Sequence, residues 1–158
     1  MKNIAYIFLF FSTFLHAHVI EVGTNKPVKS IKKALSLAKD GDTVLVHKGI
    51  YKEGNIIIDK KIVFMGKNFP ILDGQKKYEV LSIKADSVVV QGFKVIRSGY
   101  ASLEDPCAIK VYNKNNVVIQ NNVLDDNFFG IYIQNGRDCL IKNNKIVDQG
   151  VVSHGIGS

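Results

Sequence analysis

The chain has 158 residues, 46% hydrophobic with 3 prolines, a composition that suits one folded domain with a real core and excludes a disordered or collagen-like polymer. Its formal charge is +7, from 21 Lys and Arg against 14 Asp and Glu. Arg97 and Arg137 are the two arginines, and the lysines are scattered without a basic stripe or interleaved stacking aromatics. That pattern argues against a nucleic-acid partner and leaves open a weak preference for anionic surfaces or glycans.

In chain order, residues 1–17 read as a secretory signal peptide. "MKN" supplies a lysine, "IAYIFLFFSTFL" a mostly apolar run, and Ala17 a small residue for cleavage. The run falls short of the roughly 20 apolar residues that a bilayer crossing needs. No second apolar span follows, so the expectation is a periplasmic or secreted chain, residues 18–158, with no membrane span after cleavage. Next, "KPVKSIKKALSLAKDGD" predicts a helix over 30–39, with Ser30 as N-cap, Ile31, Ala34, Leu35 and Ala38 on one stripe, and Asp40-Gly41 as the stop.

Everything after that helix reads as strand and turn. "TVLVHKGIY", "NIIIDKKIVFMG" and "EVLSIKADSVVVQGFKVI" are short apolar or alternating runs broken by Gly, Asn and Asp. Residues 108–128 then align without a gap on 130–150. Identities fall at Ile109/Ile131, Asn113/Asn135, Ile119/Ile141, Asn121/Asn143, Asn122/Asn144 and Asp126/Asp148. The same frame reaches back, setting Val90 against Ile119 and Phe64 against Val90. The surplus residues collect in "GYASLEDP", in a single connection. A repeat near this length, made of strands with no helix in each unit, predicts an all-β, right-handed parallel β-helix solenoid closed at its N-terminal end by the one helix. A sandwich would not hold a gap-free repeat at constant register.

On that fold the period of two turns Ile109, Val111, Ile131 and Ile133 inward, with Ile119 and Ile141 as a further ladder. Lys110, Tyr112, Tyr132 and Gln134 face out and form the candidate binding face, since stacked tyrosines flanked by polar groups suit a glycan or a protein partner. Asn121, Asn122, Asn143 and Asn144 fall at corners, where asparagine accepts left-handed backbone and bonds to a neighbouring rung. Cys107 and Cys139 fall at different corners of the cross-section, which favours two buried thiols over a disulfide.

Candidate chemistry is sparse. Asp125 and Asp126 are adjacent and Asp148 stacks on Asp126, but neither arginine and no further acid is taken to lie in register with them, so a solvated corner is expected and no catalytic residue is assigned. His18, His47, Met65 and His154 are scattered away from ligand spacing, so no metal site and no cofactor are expected within the chain.

"SIKKALSLAKDGDTVLVHKGIYKE" followed by "IIIDKKIVFMGKNFPILDG" resembles the N-terminal cap and first turns of the pectin-lyase-like superfamily of right-handed parallel β-helices. Within it, the stretch from "VVVQGFKVIRSGY" to "IKNNKIVDQG" is most similar to the NosD family. Ser98-Gly99, then Asn127-Phe128-Phe129-Gly130-Ile131-Tyr132, then Asn143-Asn144 carry that likeness. The resemblance implies an exported accessory protein that works with an ABC transporter in maturing the copper sites of nitrous oxide reductase, with copper as the metal of a longer parent. Members of the family have many more turns, and "SHGIGS" reads as the start of a new rung, so a fragment or truncated product is expected. The rival expectations are a carbohydrate-binding or polysaccharide-degrading β-helix of the pectate-lyase type and a structural surface β-helix.

Overall fold

The computed structural model describes residues 17–100 and 106–147. Nearly all of the expected signal peptide, most of the "GYASLEDP" insertion, Asp148, and the segment 149–158 with its His154 lie outside the described residues.

The chain coils through three parallel sheets, laying one short strand in each sheet per turn. The first strands are β1 (Val19–Val22), β2 (Thr43–Val46), β3 (Ile50–Tyr51) and β4 (Ile56–Ile58), with helix α1 (Ile31–Leu37) between β1 and β2. β5 (Val63–Gly66), β6 (Ile71–Asp73) and β7 (Leu81–Ile83) follow, then β8 (Val89–Gln91), β9 (Lys94–Ile96) and β10 (Cys107–Tyr112). β11 (Val118–Gln120), β12 (Val123–Asp125), β13 (Phe129–Gln134), β14 (Leu140–Lys142) and β15 (Lys145–Val147) complete the described chain. Sheet A has the order β1-β2-β5-β8-β11-β14, sheet B β15-β12-β9-β6-β3, and sheet C β13-β10-β7-β4. The paired registers that define them are all parallel, so this is a parallel β-solenoid with one short helix.

Hydrophobic periodicity builds the core. Because successive side chains in a strand alternate faces, the inward rows are continuous ladders: Val44, Phe64, Val90 and Ile119 in sheet A, and Leu72, Val95 and Leu124 in sheet B, all at most 1% exposed. Sheet C contributes Ile58, Ile83 and Val111. Each such side chain gains about 1.5–3 kcal/mol on leaving water. A rung alone has nothing to bury it against, and stacking supplies the partner. Phe64 and Phe93 stack inside, ring centroids 4.3 Å apart and 21° from coplanar.

The corner from sheet A to sheet B is the tightest. Asn121 and Asn143 hold left-handed backbone, both at φ 55°, and Gly92 does the same one turn earlier at φ 78°. Their neighbours point inward and bond up and down the stack. Asn122, 1% exposed, accepts the Phe93 N–H at 3.0 Å and donates to Val90 O at 3.2 Å. It also donates to Asn144 Oδ1 at 3.0 Å, and Asn144 in turn donates to Ile119 O at 2.8 Å. Buried backbone groups that the turn would orphan are thereby satisfied.

Helix α1 has seven residues, too few to persist alone. Its buried stripe of Ile31, Ala34 and Leu35 and its N-terminal caps hold it. Ser30 Oγ accepts from Lys33 N–H at 3.3 Å. Glu53, from the β3–β4 connection, accepts the Ile31 N–H at 2.7 Å, the Lys32 N–H at 3.0 Å and the Ser30 hydroxyl at 2.7 Å. The helix ends earlier than Asp40-Gly41 predicts. Ala38 is already extended, at ψ 151°, because Asp42 pulls the chain away by accepting Lys39 N–H at 2.8 Å and His18 N–H at 3.0 Å. Those two amide bonds hold the Asp42 carboxyl below its ordinary range despite its burial.

One expected ladder is buried only in part. Ile109 and Val111 are fully enclosed and Ile119 is 1% exposed. Ile131 and Ile133 are half-buried against the core. Ile141 sits in register on Ile119 yet is 47% exposed, because no described rung lies over β14. Cys107 and Cys139 do not form a disulfide with each other. Cys107 is in register with Phe129 on sheet C, and Cys139 packs against the core beside Gly136.

Candidate functional site

The longest strands, β10 and β13, set the outer face of sheet C. Their register places Lys110 beside Tyr132 and Tyr112 beside Gln134, and continues Lys110 onto Ser82 of β7. Lys110 Nζ lies 4.9 Å from the centre of the Tyr112 ring and 5.2 Å from that of Tyr132, so one cation bridges two rings on adjacent rungs. Lys84 Nζ stands 5.2 Å from the centre of the Tyr112 ring as well. The Tyr112 hydroxyl donates to Glu79 at 2.9 Å. Glu79 also accepts from Ser82, a hydroxyl only 2% exposed, and Asn55 Nδ2 donates to Ser82 Oγ at 2.8 Å.

This face is therefore stiff at its base and open at its top. The Asn55, Ser82 and Glu79 network fixes Tyr112 and balances part of the lysine charge. Tyr132 stays 42% exposed. At the start of β13 a second aromatic group adjoins it. Tyr100 and Phe128 have ring centroids 5.1 Å apart, and Phe128 meets Phe129 edge-on at 4.7 Å. Their exposures are 59%, 40% and 39%. Phe128 and Phe129 lie at the last described rung of sheet C, and as with Ile141 no described rung covers them. Glu79, Lys84, Ser82 and Asn55 were not singled out from sequence. The visible signal was register: Ser82 shares the column of Lys110 and Lys84 that of Tyr112.

The acids need a correction. The expectation leaves Asp125 and Asp126 without an arginine or a third acid, but the structure supplies both on the outer face of sheet B. Asp73 is in register with Ile96 and Ile96 with Asp125, so the next position of each rung sets Arg97 beside Asp126. Arg97 grips Asp73 with two donors, Nε to Oδ1 at 3.0 Å and Nη2 to Oδ2. Arg97 precedes Asp126 by 29, the same spacing that sets Val90 against Ile119, so that juxtaposition was legible in the sequence; Asp73 precedes Arg97 by 24, one more than the 23 that separate Asp73 from its register partner Ile96, so that diagonal pair was not. The cluster is charge-balanced. Asp125 pairs with Lys94 at 2.8 Å and Asp126 with Lys76 at 3.5 Å. Burial pushes the Asp73 carboxyl up, but the Arg97 hydrogen bond, the Gln75 amide and the charges of Arg97 and Lys52 together hold it below its ordinary range. Such a carboxylate holds a fixed charge and does not store a proton near neutrality.

Among the described residues no group of three or more His, Cys, Asp or Glu side chains is placed to hold a metal. His47 Nε2 is engaged by Glu21 at 3.0 Å and His18 lies just before β1. The described residues therefore offer no set of ligands for the copper that the NosD resemblance implies for a longer parent. No helix among the described residues is long and apolar enough to cross a membrane.

The strand pairing puts this chain in the class of parallel β-helix proteins. No protein-family profile matches it, and no curated protein matches it. A solved structure that is similar is the pectin methylesterase from Aspergillus niger in deglycosylated form, at 16% identity and a TM-score of 0.38. The match covers 78% of this chain and 56% of that one, so the chain spans a little over half of that protein's length.

Proposed function

We propose that this chain is the recognition part of an exported β-helix accessory protein, and that it holds a protein partner on the outer face of sheet C. The observation that carries this reading is Lys110 set between the Tyr112 and Tyr132 rings on a base fixed by Glu79 and Ser82. Aromatic and cationic side chains on a preorganised support are what protein interfaces use as anchors. The partners, an ABC transporter and nitrous oxide reductase, come from the NosD resemblance alone, as does the role in copper-site maturation. The test is deletion of the gene in its source, with copper content and activity of nitrous oxide reductase as readouts, followed by complementation. Restoration by the native gene but not by Lys110→Glu or Tyr132→Ala supports the proposal. A source that makes no nitrous oxide reductase, or a deletion without effect on it, sinks the copper role.

A second reading, a glycan-binding or polysaccharide-degrading protein, is favoured by the Tyr112 and Tyr132 rings and by the Asp73, Arg97 and Asp126 group. Turnover of an acidic glycan by the purified chain, abolished by Asp125→Asn or Asp126→Asn, would replace the first reading with this one.

A further inference from the structure

The outward column of sheet C that carries Tyr132, Lys110 and Ser82 continues onto Ile57 of β4, the strand that packs against α1. There one stripe of the helix, Lys32, Leu35 and Ser36, meets the outward positions Asn55, Ile57 and Asp59, and a pocket of about 290 Å³ lies between them. Leu35 is buried and Ile57 is 44% exposed, which gives the pocket two apolar walls in an otherwise polar lining. Its shape is fixed by bonds within the fold. Lys60 Nζ donates to Leu35 O at 2.8 Å and pairs with Asp59 at 3.4 Å, and Ser36 Oγ donates to Lys33 O at 2.7 Å. Asn55 donates to the Ser82 hydroxyl, which donates to Glu79, the acceptor of the Tyr112 hydroxyl. One hydrogen-bonded chain thus ties the pocket wall to the base of the tyrosine face. Charge along this surface is unbalanced. Asp59 and Glu79 are engaged by Lys60, Ser82 and Tyr112, whereas Lys32, Lys84 and Lys110 form no ion pair among the described residues.

From this we infer that the partner protein is held through an extended acidic segment, which runs across the strands of sheet C and sets one apolar side chain in the pocket between α1 and β4. The inference deepens the reading of sheet C as the partner face and rests on it. The pocket lies at the lower limit of the roughly 300–1,000 Å³ of ligand sites, so it takes one large side chain and not a folded element. From Ile57 to Lys110 is two strand spacings, about 10 Å, and to Tyr132 three, about 14 Å. Four or five extended residues, at about 3.3 Å each, cover that path. Lys84 and Lys110 rest against tyrosine rings, and their remaining N–H donors are open to carboxylates, which they bind more strongly than neutral acceptors. Lys32 offers the same at the pocket. A basic segment would meet three like charges here, which is how the surface rejects it. The apolar walls select a peptide over an acidic glycan, which has no apolar side chain to place between them.

Random peptides displayed on phage, selected against the full chain as the expressing cell processes it, supply the probe. Enriched sequences should combine acidic residues with a large apolar one. Synthetic copies, followed by fluorescence anisotropy, should bind more weakly as salt rises from about 0.05 to 0.5 M. Ile57→Gln should raise their Kd by at least about fivefold, and Lys84→Glu, Lys110→Glu and Lys32→Glu each by about threefold. Circular dichroism checks that each variant keeps the solenoid, and Lys142→Glu on sheet A should leave binding unchanged. Loss of binding in the Lys84 and Lys110 variants but not in those at Ile57 and Lys32 would overturn the inference and leave sheet C as the partner face. Binding indifferent to all four would overturn both. Enrichment of basic peptides, no enrichment, or displacement of the bound peptide by an equal concentration of oligogalacturonate would also overturn the inference.

Discussion

Ile109 and Tyr132 occupy neighbouring columns of sheet C and differ in what their loss would cost. Ile109 is fully enclosed, so Ile109→Ala should lower stability by about 2–5 kcal/mol through lost burial and a residual cavity. Tyr132→Ala, at a half-exposed ring, should cost under about 1 kcal/mol. Urea unfolding of the two variants measures the contrast, and equal losses would mean the facing is misassigned. Asp73 behaves differently again, because its native carboxyl titrates below the ordinary value. The stabilisation it gives is complete above the ordinary aspartate pKa of about 4 and disappears as pH falls through the lower native value. Asp73→Asn should therefore cost roughly 1–3 kcal/mol at pH 7 and make the loss of stability below about pH 4 shallower. Denaturant midpoints at pH 7 and pH 3 decide it. The inward and outward columns of Ile109 and Lys110 were legible from alternation alone, whereas the Asp73 to Arg97 pair was not. Ion pairs across rungs of unequal length leave no fixed spacing in a sequence.

At the scale of elements, α1 is held less by its own seven residues than by one carboxylate from the next turn. Glu53→Gln keeps the shape but weakens three bonds to the helix start. We expect amide exchange across Ile31–Leu37 to accelerate by about tenfold or more, a loss of about 1.4 kcal/mol of local stability, with strands β8–β12 unaffected. Uniform acceleration along the chain would instead mean that the cap and the solenoid unfold together. The helix start was readable in Ser30 and the apolar stripe. Its end was not, since the competitor is Asp42, whose amide bonds depend on where β1 and β2 lie. A second element is fixed by close approach. A methyl at Gly66 would run into the Gly92 carbonyl of the next turn, and Gly92 itself sits at φ 78°. Gly66→Ala should drop the melting temperature by several degrees, as a loss of about 1–3 kcal/mol implies for a domain of this size.

The whole molecule is a stack in which each turn touches mainly its neighbours, so its stability is close to a sum of rungs and rung interfaces. Duplicating residues 109–130 in place, which repeats one complete 22-residue unit, should give a folded protein longer by about 4.8 Å along the stack. Small-angle scattering and far-UV circular dichroism would detect the added turn, and an aggregated or unfolded product would count against local additivity. Most of this architecture could be read from the positions of Phe64, Val90 and Ile119, whose columns agree with the paired registers. The working faces were less legible, because Glu79 and Lys84 gain meaning only when β7 is laid beside β10.

The Asn122 and Asn144 spine holds the corner from sheet A to sheet B at two residues in the later turns, from β8 onward, where the same corner takes three residues after β2 and four after β5. From β11 to β12 the chain turns in two residues, as it does from β14 to β15, while the passage from sheet B to sheet C takes three residues after β12 and ten after β9. Heritable insertions thus have one permissive address, and that address borders Tyr100, Phe128 and the tyrosine face. A lineage built on this plan can rewrite what it recognises by lengthening a single loop, while the register that keeps the stack aligned is inherited untouched.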